Sequence, residues 1–334
     1  MKILLVNWQD RTNPQAGGAE IHLFEIFSRL ARSGHQVRLI CSGYRGAPAR
    51  GSVAGLEVTR VGNRHSFAWK SRSAIRAALA RETPDVVVED INKLPLWTPT
   101  LTRRPVYAIV PHLFGATAFE EVAWPLAAMV WAAELAVPRI YRAAWFHAIS
   151  DSTRDDLVVR GVMPERIRVV YPGVDSEHFA PSPKVPRAMP PRFVFIGRLK
   201  RYKGVEYLIR ALAIARRERP DLTVDIAGTG GDRQRLEAVA RAAGVAEAVR
   251  FAGFVDDATR LLLLRQAVAN VFPSPKEGWG ITVMEAAACG TPSIASESPG
   301  LRDSVRDGRT GVLVPHGDEQ ALAAAMLRLA GDPA

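Results

Sequence analysis

The sequence predicts an α/β protein with two domains, each built on a doubly wound parallel sheet. Short β-branched runs alternate with amphipathic helices along the chain, which is typical of parallel sheets covered by helices. A segment with five prolines, residues 180–192, divides this alternation into two series. The chain has 334 residues, of which 48% are hydrophobic, and this composition supplies enough apolar side chains for two cores.

Strands are predicted on both sides of the proline-rich segment. In the first domain, residues 1–180, they are 3–6, 37–40, 86–88, 106–110, 146–149 and 169–171. In the second domain, residues 193–334, they are 193–196, 223–227, 249–251, 268–272 and 293–295. Proline fits neither helix interiors nor central strands, so residues 181–192 are interpreted as the inter-domain linker. Ligands of such sheets bind beyond the carboxyl ends of the strands, and we expect the site in the cleft between the two domains.

The net charge favours small anionic ligands over nucleic acid. Lys and Arg number 44 against 34 Asp and Glu, which gives a net charge of +10. The basic residues form no tail and no block, whereas a nucleic-acid-binding protein normally concentrates them on one element, so no nucleic-acid partner is predicted. The remaining interpretations are attraction to phosphate-bearing ligands, attraction to an anionic membrane surface, or an arginine-rich surface that is merely solvated.

Cysteine usage and the N-terminus predict a cytoplasmic protein. Cys41 and Cys289 are far apart in the sequence and suggest no disulfide framework, which fits a reducing compartment. The N-terminus lacks the long apolar core and the cleavage site of a signal peptide. The longest apolar run, residues 122–133, is too short to span a bilayer.

The most informative stretch is residues 275–285, which read PKEGWGITVME. A glycine-flanked turn leads into a helix predicted over residues 281–289. The free N–H groups and the positive dipole end of such a helix start suit an anionic ligand. Glu277 precedes the helix and Glu285 lies inside it, and eight helical residues span about 12 Å. Paired glycosidase carboxylates lie only roughly 5–9.5 Å apart, so the two glutamates are interpreted as ligand-binding groups, or else as incidental acids of a surface loop.

Two cations follow the strand predicted at residues 193–196. The strand ends at Gly197, and Arg198 and Lys203 follow within one short loop before a helix that begins near Gly204. Cations at a strand's carboxyl end suit a diphosphate, and they would stabilise the charge that develops as a diphosphate departs. By itself, this segment is typical of a solvated basic loop. Together with Glu277, it indicates a binding site.

Weaker candidates lie in the first domain. Gly17 and Gly18 begin a helix predicted to run to about Ser33, and a glycine-rich helix start again exposes backbone N–H groups. His112 follows the strand predicted at 106–110, where a histidine is well placed for substrate contact. The alternatives are a flexible turn with a helix cap for the glycines and a structural role for His112.

Motifs of other enzyme classes are missing from the sequence. Residues 228–233, GTGGDR, resemble a dinucleotide fingerprint, but Arg233 stands where the last glycine belongs, which disfavours a nicotinamide-dependent dehydrogenase. The sequence contains no GxSxG, HExxH or CxxC motif. It contains no Asp-x-Asp pair, so no obligatory metal and no cofactor are expected.

Taken together, the motifs resemble glycosyltransferase family 4, whose members are retaining enzymes of the GT-B fold. The resemblance rests on GRLKRYKG, EGWGITVMEAAACGTP and SESPGLRDSVRDGRTGVLV, supported by GGAE and VVYPGVD, and covers residues 1 to about 329. It implies two Rossmann-like domains that face each other across a cleft. The first would lie on the acceptor side and the second would bind a nucleotide-sugar donor.

The resemblance implies roles for the candidate residues. Arg198 and Lys203 would bind the donor diphosphate, Glu277 would contact the hydroxyls of the donor sugar, and His112 would lie near the reacting sugar carbon. Glu285 would hold the ribose hydroxyls. The implied donor-binding set as a whole is Gly17, Gly18, Gly197, Gly278, Trp279, Gly280, Ile281 and Glu285.

The sequence departs from the family pattern in two places. Trp279 stands where the family often has phenylalanine, which is a mild change. Family members usually end with helices that cross back onto the first domain, and no such helices follow residue 329. If the departure reflects a truncated or an incomplete chain, we expect domain closure to be weakened.

The resemblance implies transfer of a hexose from a nucleotide-diphosphate sugar, of the UDP-glucose or GDP-mannose type, to an acceptor hydroxyl, without a metal. The acceptor, whether a sugar, a lipid or another small molecule, is not specified by the sequence. The alternatives are a GT-B-like phosphorylase or epimerase and a non-catalytic nucleotide-sugar-binding protein. The complete set of Arg198, Lys203, Glu277 and Glu285 argues against the last of these.

Two segments are candidates for contact with an anionic membrane surface, at the inner face of the membrane. Residues 67–81 mix aromatic and basic side chains, and the apolar stretch 119–141 contains Trp124 and Trp131. Amphipathic helices with such composition bind bilayer surfaces. The alternatives are a solvated helix for the first segment and domain packing for the second.

Overall fold

The computed structural model of the protein describes residues 1–115, 119 and 123–331. The chain divides into two compact units, Met1–Pro172 and Gly173–Ala334. Each unit has its own sheet and its own hydrophobic core.

The first unit is built on a mostly parallel sheet. Its strands are β1 (Lys2–Val6), β2 (Gln36–Cys41), β3 (Arg50–Val53), β4 (Leu56–Arg60), β5 (Val86–Asp90), β6 (Val106–Val110), β7 (Trp145–Ala148) and β8 (Ile167–Val169). Within the described residues the strand order is β3-β4-β2-β1-β5-β6-β7-β8. Neighbours are parallel except in the antiparallel β3–β4 hairpin. The order reverses at β1, so the sheet is doubly wound and has its switch point beside β1.

Five helices of this unit lie within the described residues. They are α1 (Gly18–Arg32), α2 (Phe67–Arg81), α3 (Trp124–Leu135), α4 (Val137–Ile140) and α5 (Asp151–Val159). One apolar core of this unit includes Val6, Val87 and Phe146 from the sheet and Ile75 from α2. Burial of such side chains is the main stabilising contribution to the unit.

The second unit is built on a wholly parallel sheet. Its strands are β9 (Arg192–Ile196), β10 (Thr223–Ala227), β11 (Val249–Gly253), β12 (Ala269–Phe272), β13 (Ser293–Ser296) and β14 (Gly311–Val314). Its helices are α6 (Val205–Ala215), α7 (Arg233–Ala242), α8 (Asp257–Gln266), α9 (Ile281–Ala288), α10 (Leu301–Ser304) and α11 (Glu319–Gly331). In the described part of the chain the strand order is β11-β10-β9-β12-β13-β14, which places β9 at the switch point between β10 and β12.

The predicted fold class is confirmed, with differences in detail. The strand predicted at 169–171 lies instead at Ile167–Val169, because buried Ile167 pairs with Phe146 while exposed Arg168 interrupts the apolar run in the sequence. Strands β3, β4 and β14 were not predicted. None of the helices in the described ranges is long and apolar enough to cross a membrane. Of the apolar stretches singled out from the sequence, residues 120–122 lie outside the described residues.

The proline-rich segment packs against the second unit. The Arg187 guanidinium donates hydrogen bonds to the carbonyl oxygen of Ala267 (2.6 Å), the hydroxyl of Thr291 (2.5 Å) and the carbonyl oxygen of Gly290 (2.6 Å). Prolines leave this segment without regular structure, and the guanidinium fixes it to the end of α9.

Candidate functional site

The loops after the two central strands of the second unit bring the predicted charged residues together. Strand β9 is followed by Gly197 and Arg198, and a short 3₁₀ turn, Arg201–Lys203, precedes α6. Strand β12 is followed by the segment that carries Glu277. Because β9 and β12 are parallel neighbours, both loops lie at the same edge of the sheet. The Nζ of Lys203 donates to Oε1 of Glu277 over 2.5 Å.

The Lys203–Glu277 pair is partly withdrawn from solvent. Only 10% of the Lys203 side chain and 14% of the Glu277 side chain are exposed. Burial acts to lower the pKa of Lys203, but the Glu277 carboxylate and Tyr202 together more than offset it, so the pKa of Lys203 is raised. Arg198 is exposed and near enough to act on the same pKa in the lowering direction. The edge therefore holds a lysine whose charged form is favoured, with a second cation beside it, which suits a diphosphate.

The glycines of GTGGDR fix the loop that carries Arg198. A Cβ on Gly228 would lie 1.8 Å from the carbonyl oxygen of Gly197, and one on Gly230 would lie 2.0 Å from that of Leu199. The Leu199 N–H donates to the Thr229 carbonyl oxygen at 2.9 Å. The two backbones touch, so these glycines are explained by close packing of the β9 and β10 loops.

Helix α9 begins with an open first turn. Its N-cap, Gly280, has φ +85°, and a Cβ there would lie 2.9 Å from Cδ2 of Leu301. Gly278 and Trp279, which lead into the helix, are buried. Across the described residues, the amides of Ile281 and Thr282 have no hydrogen-bond partner. The first turn also contains no acidic residue. The free amides and the helix dipole therefore favour an anion here.

A third loop braces Glu277. The Glu277 N–H donates to the carbonyl oxygen of Pro299 at 3.1 Å, and a Cβ on Gly300 would lie 2.1 Å from the Glu277 carbonyl oxygen. The Ser298 hydroxyl donates to the Ser274 carbonyl oxygen at 2.9 Å. The loop after β13 thus fixes the backbone of the glutamate that pairs with Lys203.

Glu285 lies in the second turn of α9, away from Glu277. Its side chain is 5% exposed, and its Oε1 lies 3.1 Å from Nη1 of Arg260 on α8. Burial is the largest influence on its pKa and raises it, while Arg260 acts in the opposite direction. Its Oε2 is buried and has no hydrogen-bond partner among the described residues.

The first unit places Gly17 and Gly18 at the start of α1, as predicted, but one expected open amide is occupied. The Gly17 N–H donates to Oε2 of Glu20 at 2.7 Å. Oε1 of Glu20 accepts a hydrogen bond from Nδ2 of Asn92, which also donates to Oδ1 of Asn7. The expectation that Gly17 exposes its N–H is therefore wrong, because the acid three residues later caps the helix. Gly18 is exposed.

His112 follows β6 in the same unit. It is half-buried, and its ring packs edge-to-face against Phe114 with the ring centroids 5.1 Å apart. Asp90 ends the neighbouring strand β5 and is buried. Burial, followed by the Glu20 charge, raises the pKa of the Asp90 carboxyl. Polar side chains therefore lie at the carboxyl end of this sheet, where ligands of doubly wound sheets bind.

Sequence reasoning missed Arg260 and the brace from Pro299 and Gly300. Arg260 belongs to no motif, and its contact with Glu285 depends on the packing of α8 against α9. The brace follows SESPG, which was noted as a family segment without a role for its residues. A further finding from the described residues is that no group of three or more His, Cys, Asp or Glu side chains could hold a metal ion.

Both halves of the chain match models of known protein families. Residues 16–178 match the family model Glycosyltransferase Family 4, and residues 179–334 match the model Glycosyl transferases group 1. The chain belongs to glycosyltransferase family 4. The two models together span nearly the whole of this glycosyltransferase, so the resemblance seen in its motifs is confirmed.

Curated relatives and solved structures agree with that placement. This glycosyltransferase is 29% identical to glycogen synthase of Mycobacterium tuberculosis, over 100% of this chain and 87% of the relative. It is also 29% identical to the GDP-mannose-dependent alpha-(1-6)-phosphatidylinositol monomannoside mannosyltransferase of Mycolicibacterium smegmatis, over 96% and 87%. HepE of Anabaena, solved with UDP-glucose, superposes with a TM-score of 0.81 at 20% identity, over 100% and 90%. The fold is GT-B.

Proposed function

We propose that this glycosyltransferase moves a hexose from a nucleoside-diphosphate hexose to an acceptor hydroxyl, with retention of anomeric configuration and without a metal ion. The observation that carries the proposal is the convergence of Arg198, Lys203 and Glu277 with the open start of α9 at one edge of the second unit's sheet. These groups match the charges and hydroxyls of a nucleotide sugar.

The cations act on the leaving group. As the bond between the anomeric carbon and the diphosphate oxygen breaks, negative charge grows on the diphosphate. Lys203 has three N–H donors and gives one to Glu277, so it retains donors for phosphate. Arg198 adds a planar set of donors, and the amides of Ile281 and Thr282 add the helix dipole. The acceptor oxygen bonds to the anomeric carbon on the face that the diphosphate leaves, and its proton passes to the diphosphate.

The sugar and the ribose are held by acids. Glu277 would accept hydrogen bonds from sugar hydroxyls while it also accepts one from Lys203. Glu285 would accept from the ribose hydroxyls. In this proposal Gly197, Gly278, Trp279 and Gly280 shape the backbone around the donor.

Contributions from the first unit are proposed on the resemblance. His112 would lie beside the reacting sugar carbon, and Gly18 would approach the diphosphate or the acceptor. Gly17 would contribute only the lack of a side chain, because its N–H already donates to Glu20.

The donor class is tested by calorimetry with UDP, GDP, ADP, UDP-glucose and GDP-mannose, with a chelator present. The GDP-mannose dependence of one relative and the UDP-glucose bound to one structural neighbour keep both donor types open. Selective binding of one diphosphate, followed by transfer from its sugar, would support the proposal. Phosphate-dependent cleavage of a glycoside would instead support a phosphorylase.

Peripheral membrane contact is a second proposal and rests on α3. This helix exposes the apolar side chains of Trp124, Leu126, Met129 and Trp131, and Trp124 is 73% exposed. A soluble surface rarely leaves a helix apolar on its open side, whereas a bilayer interface favours tryptophan there. Flotation with anionic and with neutral liposomes tests it, with Trp124→Ser as the comparison variant. Absence of binding to anionic vesicles would contradict it.

A further inference from the structure

We propose that Arg260 is a positioning residue for ribose recognition, which holds the carboxylate of Glu285 ionised and oriented to accept hydrogen bonds from both ribose hydroxyls of the donor. The inference rests on the proposed function, since it requires that a nucleotide binds to the second unit. Arg260 lies outside every motif that places the chain in its family.

The geometry of Glu285 suits a carboxylate that accepts further hydrogen bonds from a ligand. Its Oε1 is ion-paired with Nη1 of Arg260 at 3.1 Å, while its Oε2 has no hydrogen-bond partner in the described part of the chain. A carboxylate that is only 5% exposed and half satisfied is costly to bury. Two hydroxyl donors would supply the missing hydrogen bonds, and a vicinal diol matches the two oxygens of a carboxylate.

Arg260 is itself held in place by contacts on both sides. Its guanidinium lies 5.1 Å from the centroid of the Phe179 ring, and its Nη2 is 3.1 Å from Oδ1 of Asp257. The side chain is 21% exposed. The aromatic face and the carboxylate fix the orientation of the guanidinium. The guanidinium can therefore fix the orientation of the carboxylate that it pairs with.

The charge of Glu285 depends on this contact. Burial raises the pKa of Glu285, Arg260 opposes that rise most strongly, Asp257 adds to it and His178 opposes it weakly. Cys289 directly follows α9, and burial raises the pKa of its thiol. With Arg260 removed, burial and Asp257 would act almost unopposed. The pKa of Glu285 would then rise further, and the protonated carboxyl could no longer accept hydrogen bonds from both hydroxyls.

The test measures ribose discrimination as a function of pH. The probes are the tightest-binding of UDP, GDP and ADP and its 2′,3′-dideoxy analogue, measured by calorimetry from about pH 6 to about pH 9. The variants are Arg260→Gln, Arg260→Lys and Glu285→Gln. Arg265→Gln, which removes another arginine from α8, is the matched control. Thermal unfolding of each variant checks that it folds.

Wild-type enzyme is expected to prefer the ribonucleotide by at least about tenfold, as for hydrogen bonds to a charged group. Glu285→Gln should lose most of that preference at every pH. Arg260→Gln should discriminate less than wild type at the low end of the pH range and recover as the pH rises, because Glu285 then ionises. Arg260→Lys should retain most of it, and Arg265→Gln should match wild type.

Two results would overturn the inference while leaving the proposed function standing. One is an Arg260→Gln enzyme that discriminates as wild type does throughout. The other is a loss of discrimination that does not recover at high pH, which would indicate a merely structural arginine. A wild-type enzyme that binds no nucleoside diphosphate would refute the proposed function itself, and one that binds without ribose discrimination would refute the role of Glu285 together with the inference.

Discussion

Helices α1 and α9 both begin directly after a glycine, yet their first turns differ in charge. At α1 the carboxylate of Glu20 accepts a hydrogen bond from the Gly17 N–H, so a negative charge already lies at the positive end of the helix. At α9 the first turn has no acid, and a cation, Lys203, lies nearby in the neighbouring loop. The start of α1 therefore leaves fewer amides open to an anion than the start of α9 does.

A glycine before a helix therefore does not by itself identify an anion site. The residue three positions into the helix decides whether the first turn is capped internally or left open. In this chain the start of α1 is capped internally, whereas the proposed function gives the start of α9 a role in donor binding. Changes around α1 should therefore alter unfolding, and changes around α9 should alter activity.

The largest expected effect is on the α9 side. Lys203→Ala or Glu277→Ala should lower kcat/KM for transfer by an amount equivalent to about 2–4 kcal/mol, because each removes a preorganised group that acts on the donor. The melting temperature should change little. Steady-state transfer assays and thermal unfolding of the same preparations measure both. A melting temperature that falls in parallel with activity would show that these residues stabilise the fold. It would then contradict the difference drawn between the starts of α9 and α1.

On the α1 side, acid should destabilise the protein through His22. Burial, with a smaller contribution from His147, lowers the pKa of His22 from 6.5 to about 4. The unfolded chain therefore binds the extra proton between these two values. The free energy of unfolding should fall as the pH drops through that window, by up to about 3 kcal/mol. Urea unfolding at several pH values measures this fall, and His22→Gln should flatten it. An equally steep fall in that variant would assign the acid sensitivity to another group.

Asn92 should show the structural role of the Glu20 cap more directly. Asn92→Ala removes the donor that serves both Glu20 and Asn7, and it should cost about 1–3 kcal/mol of unfolding free energy. Nucleotide binding by the second unit should stay at the wild-type level. Denaturant unfolding and calorimetry test the two halves of this expectation. Weakened nucleotide binding with unchanged stability would reverse the roles given to the two helix starts.

The smallest effects should come from the glycines themselves. Gly280→Ala places a Cβ at φ +85° and against Leu301, which should cost about 1–2 kcal/mol and weaken nucleotide binding. Gly18→Ala, at the first position of α1, should be neutral or stabilising by up to about 1 kcal/mol. Melting temperatures of the pair are the direct test. Equal behaviour of the two variants would contradict the difference in backbone strain.

Most of the fold could be predicted because buried parallel strands are apolar runs. Residues 106–110 and 223–227 were predicted to the residue as strands. The β3–β4 hairpin was missed because β3 is almost wholly exposed and its turn is Ala54-Gly55 with φ of 50° and 86°, a weak sequence signal for a hairpin. Strand β14 was also missed; it begins with a glycine, and its two middle residues are only half-buried.

The charged centre of the site could be predicted because of a rule about sheets. Residues that follow neighbouring parallel strands meet at one edge, and this places Lys203 beside Glu277 across 74 positions of sequence. The capping of α1 by Glu20 could have been predicted from the sequence, since an acid three residues after the N-cap is a known pattern. Arg260 was out of reach, because its contact with Glu285 depends on how two helices pack.

The central place of β9 has a consequence for how the second unit is made. Strand β9 is the first of its sheet to leave the ribosome, yet it pairs with β10 on one side and with β12, more than seventy residues later, on the other. A nascent chain or a proteolytic fragment that stops before Ala269 exposes one edge of a strand that reads RFVFI. Such an edge invites association between chains. We therefore expect fragments that end between β10 and β12 to aggregate, and the nucleotide pocket to form only late in synthesis.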